Sequence, residues 1–217
     1  MTLEESLLLD EPRLKSLLGY FSSAQASPLA NIPHPDGNAN EIAQRTTGSF
    51  RQASVLIPVI KPTAEVPSQI VLTVRSPDLS SHAGQVSLPG GTREQHDTDA
   101  IMTALREAEE EIGLQQEVVQ VIGQLGRIFL PSGFEVTPVI GLVEPEPSLR
   151  PCPIEVNEIF TAPTDLLMNP ASYSESSMEY QGRPRKVLEL FHQGFRVWGA
   201  TAAILHHLAA EINSFEE

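Results

Sequence analysis

The chain of 217 residues contains a single cysteine, Cys152. One thiol excludes an intrachain disulfide framework and a cysteine-rich zinc site, and it favours a reducing compartment. No apolar run reaches the roughly 18 residues that a membrane span needs. The N-terminal residues lack the basic region of a signal peptide, and the C-terminal residues match no retention or peroxisomal signal. These absences predict a cytoplasmic protein that has no membrane partner.

Basic residues are also scarce, since 14 Lys and Arg stand against 28 Asp and Glu and give a formal net charge of −14. Such an acidic surface repels the phosphate backbone of DNA and RNA, which excludes a general nucleic-acid partner. Apolar residues make up 41% of the chain and charged residues 19%. These ordinary values exclude wholesale disorder, and the length favours one domain with additions.

The pattern of apolar residues predicts a mixed α/β (α+β) fold. Residues 3–22 have helical spacing that Pro12 interrupts, and residues 23–49, rich in Ser, Ala, Asn, Gly and Pro, predict an extended strap. We therefore assign the N-terminal helix and strap to residues 1–50 and the main domain to residues 51–217. Strands are predicted at 55–60, 70–74, 118–129 with breaks at Gly123 and Gly126, 136–143, 156–160, and in a hairpin of 187–191 with 195–197. Helices are predicted at 98–112 and 199–212.

The predicted helix at 98–112 carries three glutamates spaced for one face. Glu107, Glu110 and Glu111 stand at positions i, i+3 and i+4. An apolar stripe would fix this helix against the sheet, and it is formed by Ile101, Leu105, Ala108 and Ile112. Three like charges on one face repel one another, and a hard divalent cation such as Mg²⁺ or Mn²⁺ resolves that repulsion. The alternative is a solvated acidic face, which is the common state of a charged run.

A strand, a polar loop and a glycine-rich turn precede this helix in the sequence. A predicted strand ends near Arg75, a polar loop follows, and the turn Pro89-Gly90-Gly91 leads towards the helix. Adjacent glycines allow backbone angles and a close approach to a pyrophosphate that side chains would block. A plain turn is the alternative interpretation of the two glycines.

Together these elements resemble the signature of the Nudix hydrolases, G-x5-E-x7-R-E-U-x-E-E-x-G-U, in which U is aliphatic. The matching positions are occupied by Gly91, Arg106, Glu107, Glu110, Glu111, Gly113 and Leu114, with Ala108 at the first U. In two departures, Asp97 replaces the isolated glutamate, and the gap from Asp97 to Arg106 is one residue longer.

That longer gap resembles the coenzyme A pyrophosphatase branch of the family. So do the stretches at 71–76, 84–91, 136–139 and 197–201. Ser80 and Leu88 stand where that branch often has Arg and Phe.

The resemblance implies a Nudix-type α/β/α sandwich with a mixed sheet and a loop-helix-loop catalytic motif. It implies Mg²⁺ or Mn²⁺ as cofactor, with Glu107 and Glu111 as the main metal ligands and Glu110 as a further ligand. The expected catalytic residues are Glu111, Glu110 and Arg106, and Arg106 is expected to pair with a motif carboxylate. Arg51 and Arg75, at strand ends bordering the predicted site, are expected to bind phosphates, as are Gly90 and Gly91 through their backbone. For the two arginines, an ordinary surface position is the alternative.

Several assignments stay open at this point. The general base is one of Glu111, Glu135, Glu155 and Glu158, and the basic cluster at 183–186 is a weaker candidate for binding a 3′-phosphate.

The expected reaction cleaves the diphosphate of coenzyme A or its thioesters to 3′,5′-ADP and a 4′-phosphopantetheine. One alternative keeps the chemistry but changes the small nucleotide substrate to ADP-ribose, a dinucleotide or a nucleoside triphosphate. The other is a Nudix-fold module that binds a nucleotide without catalysis, which the retained glutamates disfavour. A homodimer is also left open.

Overall fold

The computed structural model describes residues 11–23, 30–37, 50–180 and 182–216. The helices are α1 (Pro12–Ser22), α2 (Ala100–Ile112), α3 (Thr164–Leu167) and α4 (Gly199–Glu216). The strands are β1 (Arg51–Ile60), β2 (Gln69–Arg75), β3 (Val86–Ser87), β4 (Gly90–Thr92), β5 (Val119–Gln124), β6 (Ile128–Phe129), β7 (Phe134–Val143), β8 (Val156–Pro163), β9 (Ser174–Tyr180), β10 (Arg183–His192) and β11 (Phe195–Trp198). The start of the first predicted helix and most of the predicted strap fall outside the described residues. No helix within the described ranges has the length and apolar character needed to cross a membrane.

The main sheet is mixed, as the sequence predicts. Its strand order is β3-β2-β1-β7-β5, with β4 paired to β1, β6 to β7 and β8 to β2. Strands β1 and β7 run parallel over their full length, from Arg51 opposite Phe134 to Ile60 opposite Val143. The other pairings of this sheet are antiparallel. A smaller antiparallel sheet has the order β11-β10-β9.

Two apolar clusters cover the two faces of the main sheet. On one face, α2 packs through Ala104, Ala108 and Ile112 against Leu56 of β1 and Val139 of β7. On the other face, buried residues of α1, α4 and the smaller sheet pack against the alternate side chains of β1 and β7. The arrangement is an α/β/α sandwich, which confirms the predicted fold class.

Helix α1 forms part of this second cluster. Leu14 and Leu17 are fully buried there. The sequence predicts that Pro12 interrupts the helix, and in the structure Pro12 is the first residue of α1. In the first turn the missing N–H of proline breaks no hydrogen bond of the helix. Phe21 lies in the space that a side chain at Gly123 would fill. Gly123 therefore lets α1 approach β5, and the strand continues through it with a bulge, where the sequence predicted a break.

Three other differences from the predicted elements have local causes. Helix α2 begins at Ala100, two residues later than predicted, because the Asp99 carboxylate accepts a hydrogen bond from the Met102 N–H at 2.9 Å and caps the helix. Strands β3 and β4 are too short to produce a pattern. Strand β9 has the sequence SESSMEY. Because most of these residues are polar, the sequence contains no apolar pattern from which its pairing with β10 could be predicted.

Candidate active site

The residues singled out in the sequence lie at one end of the main sheet. Strand β1 begins there with Arg51, and Ser54 of β1 pairs with Gly91 of β4. Strand β2 runs antiparallel to β1, so its last residue, Arg75, lies at the same end, beside the start of β8. Helix α2 lies above this end and supplies the glutamates.

The glycine pair allows β4 to fit between β1 and helix α2. Gly90 has φ +156°, and a Cβ on it would collide with the Ser54 carbonyl oxygen. A Cβ on Gly91 would collide with the Glu107 carboxylate. The Gly90 N–H donates a hydrogen bond to Glu111 Oε2 at 3.1 Å. Both positions therefore need glycine because neighbouring atoms leave no room for a Cβ. The alternative of a plain turn would not require this close packing.

Two glutamates of α2 are held against this glycine ribbon. Burial raises the pKa of Glu111 to about 7, although the Gly90 N–H and Arg75 act in the opposite direction. The nearest Arg75 nitrogen lies 4.0 Å from Glu111 Oε1. Burial also raises the pKa of Glu107, against the opposing charge of Arg106. For both carboxylates, the cost of burying the ionised form exceeds the stabilisation that the neighbouring arginine provides.

Arg106 ties the motif together from the side of α2. Its Nε and Nη2 donate to the two oxygens of Asp97 at 3.1 and 3.0 Å, and Nη2 also donates to the Thr92 carbonyl at 3.0 Å. The Asp97 side chain is fully buried, and this pairing holds its pKa well below the usual range. Arg106 forms further ion pairs with Glu107 at 3.0 Å and Glu110 at 2.9 Å. The pairing agrees with the expectation for Arg106, whose catalytic role stays a prediction.

Glu110 is arranged differently from the other two motif glutamates. Its side chain is 59% exposed and pairs with Arg106 one turn earlier, whereas Glu107 and Glu111 face the glycine ribbon. The helical spacing predicted that the carboxylates of Glu107, Glu110 and Glu111 would converge. The Glu110 carboxylate instead turns towards the positive charge of Arg106. Glu109 is exposed and accepts a hydrogen bond from Gln116.

The donor set at Glu107 and Glu111 fits a hard divalent cation. Within the described ranges, no three side chains of His, Cys, Asp or Glu converge closely enough to hold a metal ion by themselves. Mg²⁺, however, is commonly bound by one or two carboxylates, and waters and substrate phosphates complete its coordination. The buried Glu111 and the partly buried Glu107, beside a partly exposed backbone ribbon without side chains, provide that arrangement.

A loop at residues 150–155 is hydrogen-bonded to the backbone of α2 and of Ser76 beside the site. The Cys152 N–H donates to the Glu111 carbonyl, and the Ser76 N–H donates to the Glu155 carbonyl, both at 2.8 Å. The negative charge of Glu155 contributes to the raised pKa of both Glu107 and Glu111. Of the other open candidates for the base, Glu135 is paired with Arg127 at 2.9 Å. Glu158 lies on β8 opposite Val74 and is exposed, as is Glu155.

The remaining predicted residues occupy distinct positions. The Arg51 guanidinium lies 4.0 Å above the centre of the Phe134 ring. The buried Nε of Arg75 has no hydrogen-bond partner among the described residues. In the basic cluster, Arg185 pairs with Asp36 at 2.6 Å and Lys186 with Glu175 at 3.6 Å, while the side chain of Arg183 is outside the described part. Sequence separation concealed the Asp36 pair, since Asp36 belongs to the predicted strap.

The comparison with known proteins identifies the family of the chain. The family model described as NUDIX domain matches residues 50–178, and the chain belongs to the Nudix family. The predictions of the family and of an enzyme of the hydrolase class are thereby confirmed.

Among individual relatives, the uncharacterized Nudix hydrolase NudL of Photorhabdus laumondii is 40% identical over 172 residues, which cover 78% of this chain and 89% of that protein. NudL of Pectobacterium atrosepticum is 45% identical over 165 residues, covering 75% and 83%. A solved Nudix hydrolase from M. smegmatis, RenU, has a TM-score of 0.52 at 22% identity, covers 77% of this chain and 88% of its own, and supports the fold.

Proposed function

We infer that this protein hydrolyses the diphosphate of coenzyme A or its derivatives in the presence of Mg²⁺ or Mn²⁺. The observation that carries the proposal is the pair of carboxylates, the buried Glu111 and the partly buried Glu107, packed against the Gly90-Gly91 ribbon beside Arg75. Water adds to one phosphorus and the bridging P–O bond breaks, so that coenzyme A yields 3′,5′-ADP and 4′-phosphopantetheine. An acidic protein can bind such an anion because the cation offsets charge on both partners.

Glu107 and Glu111 would hold the metal ion, with Glu110 as a further ligand if its side chain leaves Arg106. The chemistry that Mg²⁺ or Mn²⁺ supplies in such a site is polarisation of phosphoryl oxygens and compensation of charge on the leaving phosphate. Arg106 orients Glu107 through their 3.0 Å ion pair. Arg75 has an unpartnered, buried Nε and lies beside Glu111, which suits it to bind the diphosphate.

Glu155 is the general-base candidate that this geometry favours outside the motif. Its loop is bonded to the backbone of both Glu111 and Ser76, and its charge reaches both metal-binding carboxylates. We expect Glu155→Gln to lower kcat at least tenfold with little change in KM. Glu135→Gln and Glu158→Gln serve as comparisons; an equal loss in either would remove the case for Glu155.

The choice of coenzyme A rests on the stretch from Val71 to Gly91. It resembles the coenzyme A pyrophosphatase branch and forms β2, β3 and β4, which supply Arg75 and the glycine ribbon. The test incubates the pure protein and either metal with coenzyme A, ADP-ribose, NADH and dNTPs, and separates the products by chromatography. We expect 3′,5′-ADP from coenzyme A. Turnover of ADP-ribose without turnover of coenzyme A would overturn the substrate and leave the enzyme class standing; no cleavage of any compound would contradict the proposed function.

A further inference from the structure

Arg51 differs from most cations at this end of the molecule because no carboxylate or hydrogen-bond acceptor among the described residues engages its side chain. Arg93 bonds to Gln52 and to the carbonyls of Asp97 and Thr98. Arg127 is neutralised by Glu135. The chain has a net charge of −14, so most of its surface repels anions. The exposed guanidinium of Arg51, which no carboxylate among the described residues pairs with, gives the proposed phosphate site a local positive charge.

The Phe134 ring lies against this guanidinium. The two groups are neighbours across the parallel pairing of β1 and β7, and the guanidinium carbon lies 4.0 Å from the ring centre. This cation–π contact uses no N–H group of the guanidinium, and no described acceptor engages those groups, so they remain available to donate. The Arg51 backbone N–H bonds to the Gly133 carbonyl at 3.0 Å, which secures the strand start. A planar guanidinium with unengaged N–H donors suits bidentate binding of a phosphate.

The position of Arg51 separates it from the diphosphate. Gly91 lies opposite Ser54, three residues along β1 from Arg51, which corresponds to about 10 Å. Arg75, in contrast, lies within 4.0 Å of Glu111. The two arginines are therefore placed for two different anionic groups of one elongated ligand.

The basic cluster at 183–186 is a weaker competitor for the second anionic group. Arg185 is largely buried in its ion pair with Asp36, and Lys186 pairs with Glu175. Both charges are compensated within the protein, whereas that of Arg51 is not.

We propose that Arg51, stacked on Phe134, binds a phosphate monoester on the nucleoside end of the substrate and thereby selects a 3′-phosphorylated adenosine diphosphate derivative over its dephosphorylated counterpart. This inference rests on the proposed function, because the diphosphate must bind at the glycine ribbon. Coenzyme A carries such a 3′-phosphate, and dephospho-coenzyme A differs from it by that group alone.

The test measures kcat and KM for coenzyme A and for dephospho-coenzyme A with wild type, Arg51→Gln and Arg51→Lys. For Arg51→Gln we expect KM for coenzyme A to rise about tenfold at constant kcat, because one charge-assisted contact to the ground state is lost, while KM for dephospho-coenzyme A changes less than about twofold. Arg51→Lys should fall between, since it keeps the charge and loses the planar stack. Lys15→Gln, which removes an exposed cation from α1, is the matched control and should change neither constant.

A readout independent of turnover is competition by products. In wild type, 3′,5′-ADP should inhibit more strongly than 5′-AMP, and Arg51→Gln should abolish the difference. Equal effects of the substitution on both substrates, or wild-type KM values that do not distinguish them, would overturn the inference. Failure of wild type to cleave either substrate would instead contradict the proposed function.

Discussion

At the scale of single residues, Glu111 links the site to the stability of the protein. Its side chain is 4% exposed, and burial raises its pKa to about 7. The folded protein therefore holds a proton that the unfolded chain loses near pH 4.5, so stability falls as pH rises from about 4.5 to 7. The cost at pH 8 is about 3 kcal/mol in the absence of metal.

This cost predicts that Glu111→Gln stabilises the metal-free protein at alkaline pH. Glutamine keeps an acceptor for the Gly90 N–H and carries no charge. Urea unfolding in the presence of EDTA should show the variant more stable than wild type by about 3 kcal/mol at pH 8, with the difference below about 1 kcal/mol at pH 5. Glu109→Gln, on the exposed side of α2, is the control. A difference that does not depend on pH would show that Glu111 is not the titrating group.

The sequence predicted the identity of the motif residues better than their side-chain directions. The helical spacing correctly placed Glu107 and Glu111 near one another. It could not show that Glu110 turns to Arg106, because that choice depends on a competing charge one turn earlier. Asp97 was noted only as a departure from the motif, and its buried double contact with Arg106 emerges from the folding of residues 93–99.

At the scale of elements, the two glycines of β4 perform different tasks that substitution can separate. The Gly90 neighbours are the backbone atoms Ser54 O and Val55 Cα, which cannot move aside. The neighbour of Gly91 is the end of the flexible Glu107 side chain. Gly90 is thus required for the packing of the strand, and Gly91 for the position of the Glu107 carboxylate.

We therefore expect Gly90→Ala to lower the free energy of unfolding by more than about 2 kcal/mol. Gly91→Ala should cost less than about 1 kcal/mol, yet reduce metal-dependent hydrolysis at least tenfold, because Glu107 must leave its position. Urea titration and a product assay on the same samples measure both quantities. Gly37→Ala, whose Cβ would meet no atom within 4 Å, is the control. The assignment of roles fails if Gly91→Ala retains full activity.

Long apolar elements followed directly from the sequence, and short or polar ones did not. The β-branched runs identified β1, β2, β7 and β8 because buried strands need them. Strand β4 has only three residues and is defined by its contacts with β1 and α2, which no local pattern encodes.

At the scale of the whole molecule, α1 is integrated into the core although it precedes the part matched by the family model. Leu14 and Leu17 are fully buried in the cluster shared with α4, and Tyr20 bonds to Glu211 of α4 at 3.2 Å. The ion pair of Asp36 and Arg185 joins the 30–37 segment to β10. Contacts between residues so far apart in sequence have no local signal, so the sequence could not predict where this helix packs.

This integration predicts that α1 supports the stability of the hydrolase domain. Leu17→Ala should lower the free energy of unfolding by about 2–5 kcal/mol, in a single transition, because a cavity opens in the shared core. Lys15→Ala, on the exposed side of the same helix, should change it by less than about 0.5 kcal/mol. Chemical denaturation followed by circular dichroism provides the measurement. A Leu17→Ala variant as stable as wild type would show that α1 is not part of the cooperative core.

The most direct test of the central claim is chromatographic assay of coenzyme A cleavage with Mg²⁺ or Mn²⁺ by wild type, Glu107→Gln, Glu111→Gln and Glu109→Gln. We expect 3′,5′-ADP and 4′-phosphopantetheine from wild type and Glu109→Gln, and a loss of at least about 100-fold in kcat for the other two, with their circular dichroism unchanged. Near-normal turnover by Glu111→Gln would contradict the account.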